Sequence, residues 1–459
     1  MTETDAPTPE IEHGHFLEPA LYLILSADLV DSTALKHQPL RQYERFSDVP
    51  LAEAEGPADD AEAMAEAFDR LSPAWLSKIN TFHADITEPF LANWQSYKPD
   101  GLNIAKGESP RFWKTRGDEI LFRKRLGNFK QASLVVHCWL KAIRAFQKKH
   151  AGELSVKSTA WLIGVPFTNS QVVFIRDKGA FEEELSESER VRFTTNHNPV
   201  VRQHYLLHLF FEEWERFGKH LEVDMVGPSV DQGFRITEHA TERRCPISVE
   251  LAYILVEASQ QLLPWRLKFY GFERLKGVLN NSAYPSLGLD LWSDLDLTDT
   301  NSLPAAPVDD DEQRTARLVD NAKRSVSKAE GTLSSRYSVK NHDRKLIEYL
   351  RNYIWAHHPY LMVPYIYRLD SKPAQGQYHH VCENHDEPSA DFRDQQAELV
   401  RMETLFRATA KRRYEIWCNW LRVSETLQPS SQDQQLVDLE PERQSPLART
   451  WLSRFTRRS

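Results

Sequence analysis

The order of elements in the sequence predicts a mixed α and β domain on a single sheet, α/β or α+β by pattern alone, with a mainly helical region after it. Three observations lead there. A short apolar run, LYLILSADLV, ends in Asp28 and has the length of a buried strand. Strand, helix, hairpin, helix and strand patterns then follow one another to about residue 280. Finally, residues 294–312, DLDLTDTNSLPAAPVDDDE, are acidic and Pro-containing, as a linker is, and the patterns beyond them are helical.

Residues 1–17 read as a mobile arm. Residues 52–70 are rich in Ala and Glu and read as helix, and 71–99 carry Trp75, Ile79, Phe82 and Phe90 at helical spacing. RFWKTRGDEILFRKR (111–125) places Gly-Asp between two β-type runs, a hairpin signal. Residues 129–149 form an amphipathic helix and 157–167 a strand. Residues 171–220 are less regular, with an amphipathic helix near 201–218. VDMVGPSVDQGFRITEHAT (223–241) reads as strand, Gly-Pro turn and helix. PISVELAYIL is expected to return to a strand, and LKFYGFERLKGV (267–278) to form a final strand pair. Residues 313–425 are mostly helical patterns, and 426–459 form a polar tail. The expected division is therefore a domain over 18–293, with insertions at about 40–105 and 170–218, then linker, helical region and tail.

The chain has 459 residues, 57 of them basic and 66 acidic, for a net charge of −9. That balance argues against a general affinity for nucleic acid. Cys138, Cys245, Cys382 and Cys418 are far apart and form no CxxC pair, as expected of reduced thiols in a cytoplasmic protein. The N-terminus lacks the apolar stretch of a signal peptide, and no run reaches the roughly 18 apolar residues of a spanning helix.

Four segments carry the chemistry. Ser26-Ala27-Asp28-Leu29-Val30-Asp31-Ser32-Thr33 puts a carboxylate at a strand end before a small-residue turn, where it suits a metal ion holding phosphates. Lys114-Thr115-Arg116-Gly117-Asp118-Glu119 puts a second carboxylate at a hairpin tip. The third runs from Asp224 to Arg235, and the fourth is Leu275-Lys276-Gly277-Val278.

"ADLVxSTALK" followed by "KxxGDExLF" resembles the class III adenylate and guanylate cyclase family. The resemblance covers about 20–280 in islands. It implies an α+β fold with a ferredoxin-like βαββαβ core. It further implies two metal ions per active site, Mg²⁺ or Mn²⁺, held by Asp28, Asp118 and the backbone carbonyl of Leu29. Lys114, four residues before Asp118, maps onto the base-reading lysine. Asp224 maps onto the base-reading aspartate, seven residues before Asp231 at the transition-state asparagine position, with Arg235 four further on as the transition-state arginine. Lys276 matches a lysine that contacts the terminal phosphates. Two departures stand out: Asp31 replaces a usual glycine, and Asp231 replaces an asparagine, so its carboxylate accepts but does not donate unless protonated.

In the family, two domains pack head to tail and share sites, so one cyclase domain per chain implies a homodimer. The overall build, with a long insertion and added C-terminal helices, resembles the bacterial Pycsar antiphage cyclases. This implies cyclic UMP, then cyclic CMP, as product, and a separate cyclic-nucleotide-binding effector. Lys114 and Asp224 suit adenine as well as the pyrimidines, so an adenylate cyclase is the runner-up; a degenerate, nucleotide-binding regulatory domain is a third reading, favoured by Asp231. His357, His358, His379, His380, His385 and Cys382 lack paired zinc-ligand spacing and are read as a polar loop. Arg residues and apolar positions at 451–458 are read as a frayed tail rather than a membrane contact.

Overall fold

The computed structural model describes residues 20–36, 74–97, 106–166, 168–195, 198–259, 267–291, 339–357, 360–361, 364–368, 377–380 and isolated positions between 404 and 420. The arm, the 52–70 helix, the linker and the polar tail expected from the sequence lie outside these residues, as do most of the 313–425 region and of the His-rich loop.

The main sheet has seven strands. Its first four, β1 (Ala20–Leu29), β2 (Arg111–Arg116), β3 (Glu119–Arg125) and β4 (Val156–Val165), are joined through α2 (Ala74–Ser96) and α3 (Phe129–Lys149), after a short α1 (Ser32–Lys36). They lie in the order β2-β3-β1-β4, all neighbours antiparallel. This is the ferredoxin-like βαββαβ arrangement, and the fold is α+β with a mainly antiparallel sheet.

Beyond β4 the sheet continues through β7 (Arg244–Ile247), β9 (Ala283–Asp290) and β8 (Leu267–Arg274). Only the β4–β7 pair is parallel. Here two expectations are corrected. In PISVELAYIL the strand stops at Ile247, and Val249–Ser259 is a buried helix, α9, because the apolar run has no period to distinguish the two and both faces of it are covered. Residues 267–278 are not a strand pair: β8 ends at Arg274, LKGV is a turn, and the partner strand is β9.

Residues 171–220, expected to be less regular with an amphipathic helix near 201–218, form a satellite. β5 (Ser170–Ile175) pairs with β6 (Leu221–Val226) as a separate two-stranded sheet. Helices α4 (Lys178–Glu184), α5 (Glu187–Thr195), α6 (Pro199–Glu212) and α7 (Trp214–Phe217) lie between them in sequence. Phe181, Phe193, Leu209, Phe217 and Leu221 are buried together with Trp417 in a second apolar core. Asp177 and Asn198 cap α4 and α6 by accepting from backbone N–H groups of the first turn.

The main core sits between the sheet and α2 and α3. Phe90 meets Phe122 and Trp139 edge-on at 5.2 and 4.9 Å, the offset geometry aromatic quadrupoles favour. Trp139 donates to Ser158 Oγ at 2.8 Å, so the even-numbered residues of β4 face α3. The odd-numbered residues face the other way. There Trp161 is covered by α8 (Pro228–Thr237), whose Phe234 meets it at 5.6 Å. α10 (Val339–Ala356) adds Ile347, Leu350 and Ile354 to the main core. β10 (Tyr365–Arg368) and β11 (Gln377–His380) form a small ribbon, which accounts for His379 and His380. No helix of the described residues is long and apolar enough to cross a membrane.

Candidate active site

Asp28 ends the buried strand, and its Cα neighbours are Glu119 on β3 and Lys157 on β4. Strand alternation puts Asp28, Glu119, Arg116, Lys114, Lys157 and Trp161 on one face of the sheet, opposite α3. The chain leaves β1 through a turn in which Asp31 has φ 56°, the left-handed region. An aspartate is among the few non-glycine residues that tolerate it.

Asp118 follows Gly117, whose φ of 69° makes the hairpin turn. Ser32 donates to Asp118 Oδ2, and Lys36 Nζ lies 3.0 Å from Oδ1. Lys157 Nζ lies 2.9 Å from Asp28 Oδ2. Burial raises the Asp28 pKa, against the pull of Lys157, and the neighbouring charge of Asp118 raises it further. Burial also acts on Asp118, but Ser32 and Lys36 outweigh it and hold the carboxyl below its ordinary value. The two carboxylates are thus close enough to influence each other's protonation, and each already holds a cation. Two adjacent carboxylates of this kind are a hard-oxygen donor set that fits Mg²⁺ or Mn²⁺. Among the described residues no group of three or more His, Cys, Asp and Glu side chains is placed to hold a metal ion, so the remaining ligands would come from the backbone, such as the Leu29 carbonyl, from substrate or from water.

Lys114 and Asp224 are brought together. Lys114 Nζ donates to both carboxylate oxygens, at 2.8 and 2.7 Å, across 110 residues of sequence. Trp113 and Phe234 flank this ammonium at 4.5 and 5.9 Å from their ring centres. Asp231 and Arg235 stand four residues apart on α8 and so share a face. Arg235 pairs with Glu238 at 3.0 Å and is 42% exposed, so its guanidinium is accessible to a ligand. Lys276 lies exposed in the turn after β8, beside Gly277 at φ 78°. The side chains of Leu29 and Glu119 are buried, the latter accepting from Ser26 Oγ at 2.5 Å.

The inner face of α8 is anchored. Gln232 donates to Tyr284 Oη at 2.9 Å and to Glu250 at 3.2 Å. Asn169 accepts from Ser229 N–H at 3.0 Å and donates to Gly164 C=O at 2.9 Å, fixing the start of the helix to the end of β4. Sequence reasoning missed Lys157, Lys36, Asn169 and Gln232. Lys36 carried a local signal, one helical turn beyond Ser32. Lys157 is visible only once the β1–β4 register is known.

No family model matches the chain, and no curated protein matches it. Among solved structures it is similar to the adenylyl cyclase CyaB from P. aeruginosa, at 10% identity over 61% of this chain and 98% of that one, with a TM-score of 0.31. It is also similar to the guanylyl cyclase Cya2, at 14% identity over 60% and 92%, TM-score 0.30. A third likeness is to the guanylate cyclase domain of RhGC from Catenaria anguillulae in complex with GTP, at 9% identity over 59% and 96%, TM-score 0.30.

Proposed function

We propose that the protein is a nucleotidyl cyclase that converts a pyrimidine nucleoside triphosphate, UTP before CTP, into its 3′,5′-cyclic nucleotide and pyrophosphate. The observation that carries this reading is the juxtaposition of Asp28 and Asp118, whose charge raises the Asp28 pKa, at the end of β1 and the tip of the β2–β3 hairpin. The paired Lys114 and Asp224 support it.

Asp28, Asp118 and the Leu29 carbonyl would hold two ions, in place of the lysine ammonium groups that now neutralise the carboxylates. Mg²⁺ or Mn²⁺, when bound, makes the 3′-hydroxyl more acidic and offsets charge on the phosphates. Lys114 donates to a base acceptor, and Asp224 accepts from an adjacent base donor. Their present ion pair satisfies and orients both groups until a base parts them. Arg235 offsets negative charge gathering around the α-phosphorus as the 3′-oxygen attacks and pyrophosphate leaves. Asp231, on the same helix face, accepts from substrate or from Arg235, and Lys276 reaches the terminal phosphates. The product serves as a second messenger in bacterial antiphage defence, read by a separate effector, and the active form is a homodimer in which each site draws on both copies.

Incubation of the purified chain with each of the four triphosphates and Mn²⁺ or Mg²⁺ tests this. Cyclic UMP as the main product is expected, with cyclic CMP next. A dominant cyclic AMP product overturns the choice of base, and no cyclic product from any of the four overturns the cyclase reading.

A further inference from the structure

We infer that Tyr353 and Tyr360, from the C-terminal part of the chain, are positioning residues for Lys276, and that this part of the chain thereby sets how firmly a triphosphate is held. The inference rests on the cyclase reading, in which Lys276 reaches the terminal phosphates, and deepens it.

Lys276 stands in a turn that the backbone adopts at a cost. Leu279, Asn280 and Asn281 all lie in the left-handed region, with φ of 48, 52 and 60°. Asparagine tolerates that region, whereas a leucine seldom adopts it. Leu275, Val278 and Leu279 are buried in the main core and draw one side of the turn inward. Lys276 and Asn280 stay exposed on the other side. Asn281 Oδ1 accepts from Gly277 N–H at 3.0 Å and closes the turn on itself. A run of left-handed residues other than glycine persists where its surroundings over-determine it, and such strain gathers at functional sites.

The C-terminal part of the chain supplies two of those surroundings. Tyr353, on α10, donates its hydroxyl to the Ala283 carbonyl at 2.5 Å, just past the turn. Tyr360 Oη accepts from Asn280 Nδ2 at 2.7 Å, at the middle of the left-handed run. Both tyrosines have a fixed support behind them. α10 buries Ile347, Leu350 and Ile354 in the main core, and Leu361, next to Tyr360, is fully buried there too. The His357 carbonyl links the two parts by accepting from Tyr360 and Leu361 N–H at 2.9 and 3.1 Å. The hydroxyls therefore tie the exposed side of the turn, as the apolar residues tie its buried side. Released from them, the turn relaxes away from the left-handed backbone and carries Lys276 with it, so that the ammonium contributes less to a terminal phosphate.

Binding of the four 3′-deoxynucleoside triphosphates, which lack the attacking hydroxyl, is measured by calorimetry on the full chain and on two variants. Tyr353→Phe with Tyr360→Phe removes both hydroxyls and keeps both rings. Asn280→Gly keeps the left-handed backbone and removes the bond to Tyr360. Each variant should weaken the best-bound triphosphate about three- to tenfold, the worth of about one hydrogen bond, and should speed hydrogen exchange over residues 275–283. In a Lys276→Ala background neither should weaken it further, a result that a general loosening of the fold would not give. Losses of the same size with and without Lys276 overturn the positioning role. So does full affinity in both variants when Lys276→Ala alone loses affinity. Unchanged affinity in Lys276→Ala also overturns it, by removing Lys276 from the phosphates, while the cyclase reading stands on turnover. Failure of the unsubstituted chain to bind any of the four overturns both.

Discussion

Gly233 offers a test of how the fold positions the chemistry. It sits on the inner face of α8, two residues after Asp231 and two before Arg235. A Cβ built there would lie 2.1, 2.2 and 2.4 Å from atoms of the Trp161 indole. Ordinary carbon contacts begin near 3.5 Å, so something must move by more than about 1 Å. Trp161 is fully buried in β4, between strands β1 and β7, and has nowhere to go. The helix must lift instead, carrying Asp231 and Arg235 with it. Gly233→Ala is therefore expected to cost about 1–3 kcal/mol of stability through overpacking, seen as a fall in Tm of about 2–4 °C per kcal/mol. Misplacing a catalytic group by about 1 Å can lower turnover about 100-fold, so cyclic nucleotide formation should fall far more than stability does. Mn²⁺ binding, proposed to rest on Asp28 and Asp118 in other elements, should be unchanged. The assay pairs product formation with thermal unfolding and metal titration of the same sample. A Gly233→Ala protein with the original turnover would falsify the placement of α8 at the reacting phosphate.

Asp28→Asn and Asp118→Asn should both abolish most turnover, since loss of one metal carboxylate removes several kcal/mol of transition-state stabilisation, yet they should differ in stability. Burial raises the Asp28 pKa, so its charged form is disfavoured by folding and its stability contribution fades as pH rises through that value; Asp28→Asn should not lower Tm at pH 7. Asp118 is held below its ordinary pKa, so its contribution is present at pH 7 and is lost as pH falls through the folded value; Asp118→Asn should lower Tm at pH 7, and thermal unfolding across pH checks both. Mixing Asp28→Ala with Arg235→Ala chains should restore part of the activity if sites are shared between two copies, and no recovery would assign each site to one chain. Trp417→Ala should loosen the satellite, at about 3–5 kcal/mol for a large buried aromatic, and raise KM for the triphosphate more than it lowers kcat.

Much of the site was legible because local chemistry fixes it. Asp28 ends an apolar run, Gly117 supplies the positive φ of a hairpin turn, and Gly227-Pro228 opens a helix with proline in its first turn, where a missing N–H costs nothing. What was not legible depends on long-range pairing. β9, AYPSLGLD, contains a proline and a glycine and does not read as strand, but Pro285 pairs with Phe272 beside an irregularity in β8 that accommodates the missing donor. VELAYIL is apolar on every side, so helix and strand look alike until both faces are known to be covered. Lys157 becomes a neighbour of Asp28 only through the register of two strands that pairs residues 129 apart, a distance no local pattern spans.

The same long-range pairing gives Asp224 its significance. β6 belongs to two packing systems: Leu221, at its start, is buried in the satellite core, and Met225, next to Asp224, is buried in the main one. Lys114 stands on β2, the edge strand of the main sheet, and meets Asp224 from there. The Lys114–Asp224 pair therefore joins the two bodies, and its geometry reports how they sit against each other. The satellite is in turn braced by the C-terminal part of the chain, where Trp417 and Trp420 stack at 4.9 Å, Trp420 meets Tyr205 of α6, and Arg413 reaches His204 at 2.8 Å. α6 holds β5 through Gln203, which accepts from Val173 N–H at 2.8 Å and donates back to Val173 C=O at 3.3 Å. Val172, one residue away, is the register partner of Asp224. A continuous path of packing and hydrogen bonds thus runs from the C-terminal tryptophans to the Asp224 carboxylate, proposed above to meet the base. A perturbation at Trp417 should consequently act on base binding at Asp224 before it acts on the carboxylate pair at Asp28, which is held by β1, β3 and β4 in the main sheet alone.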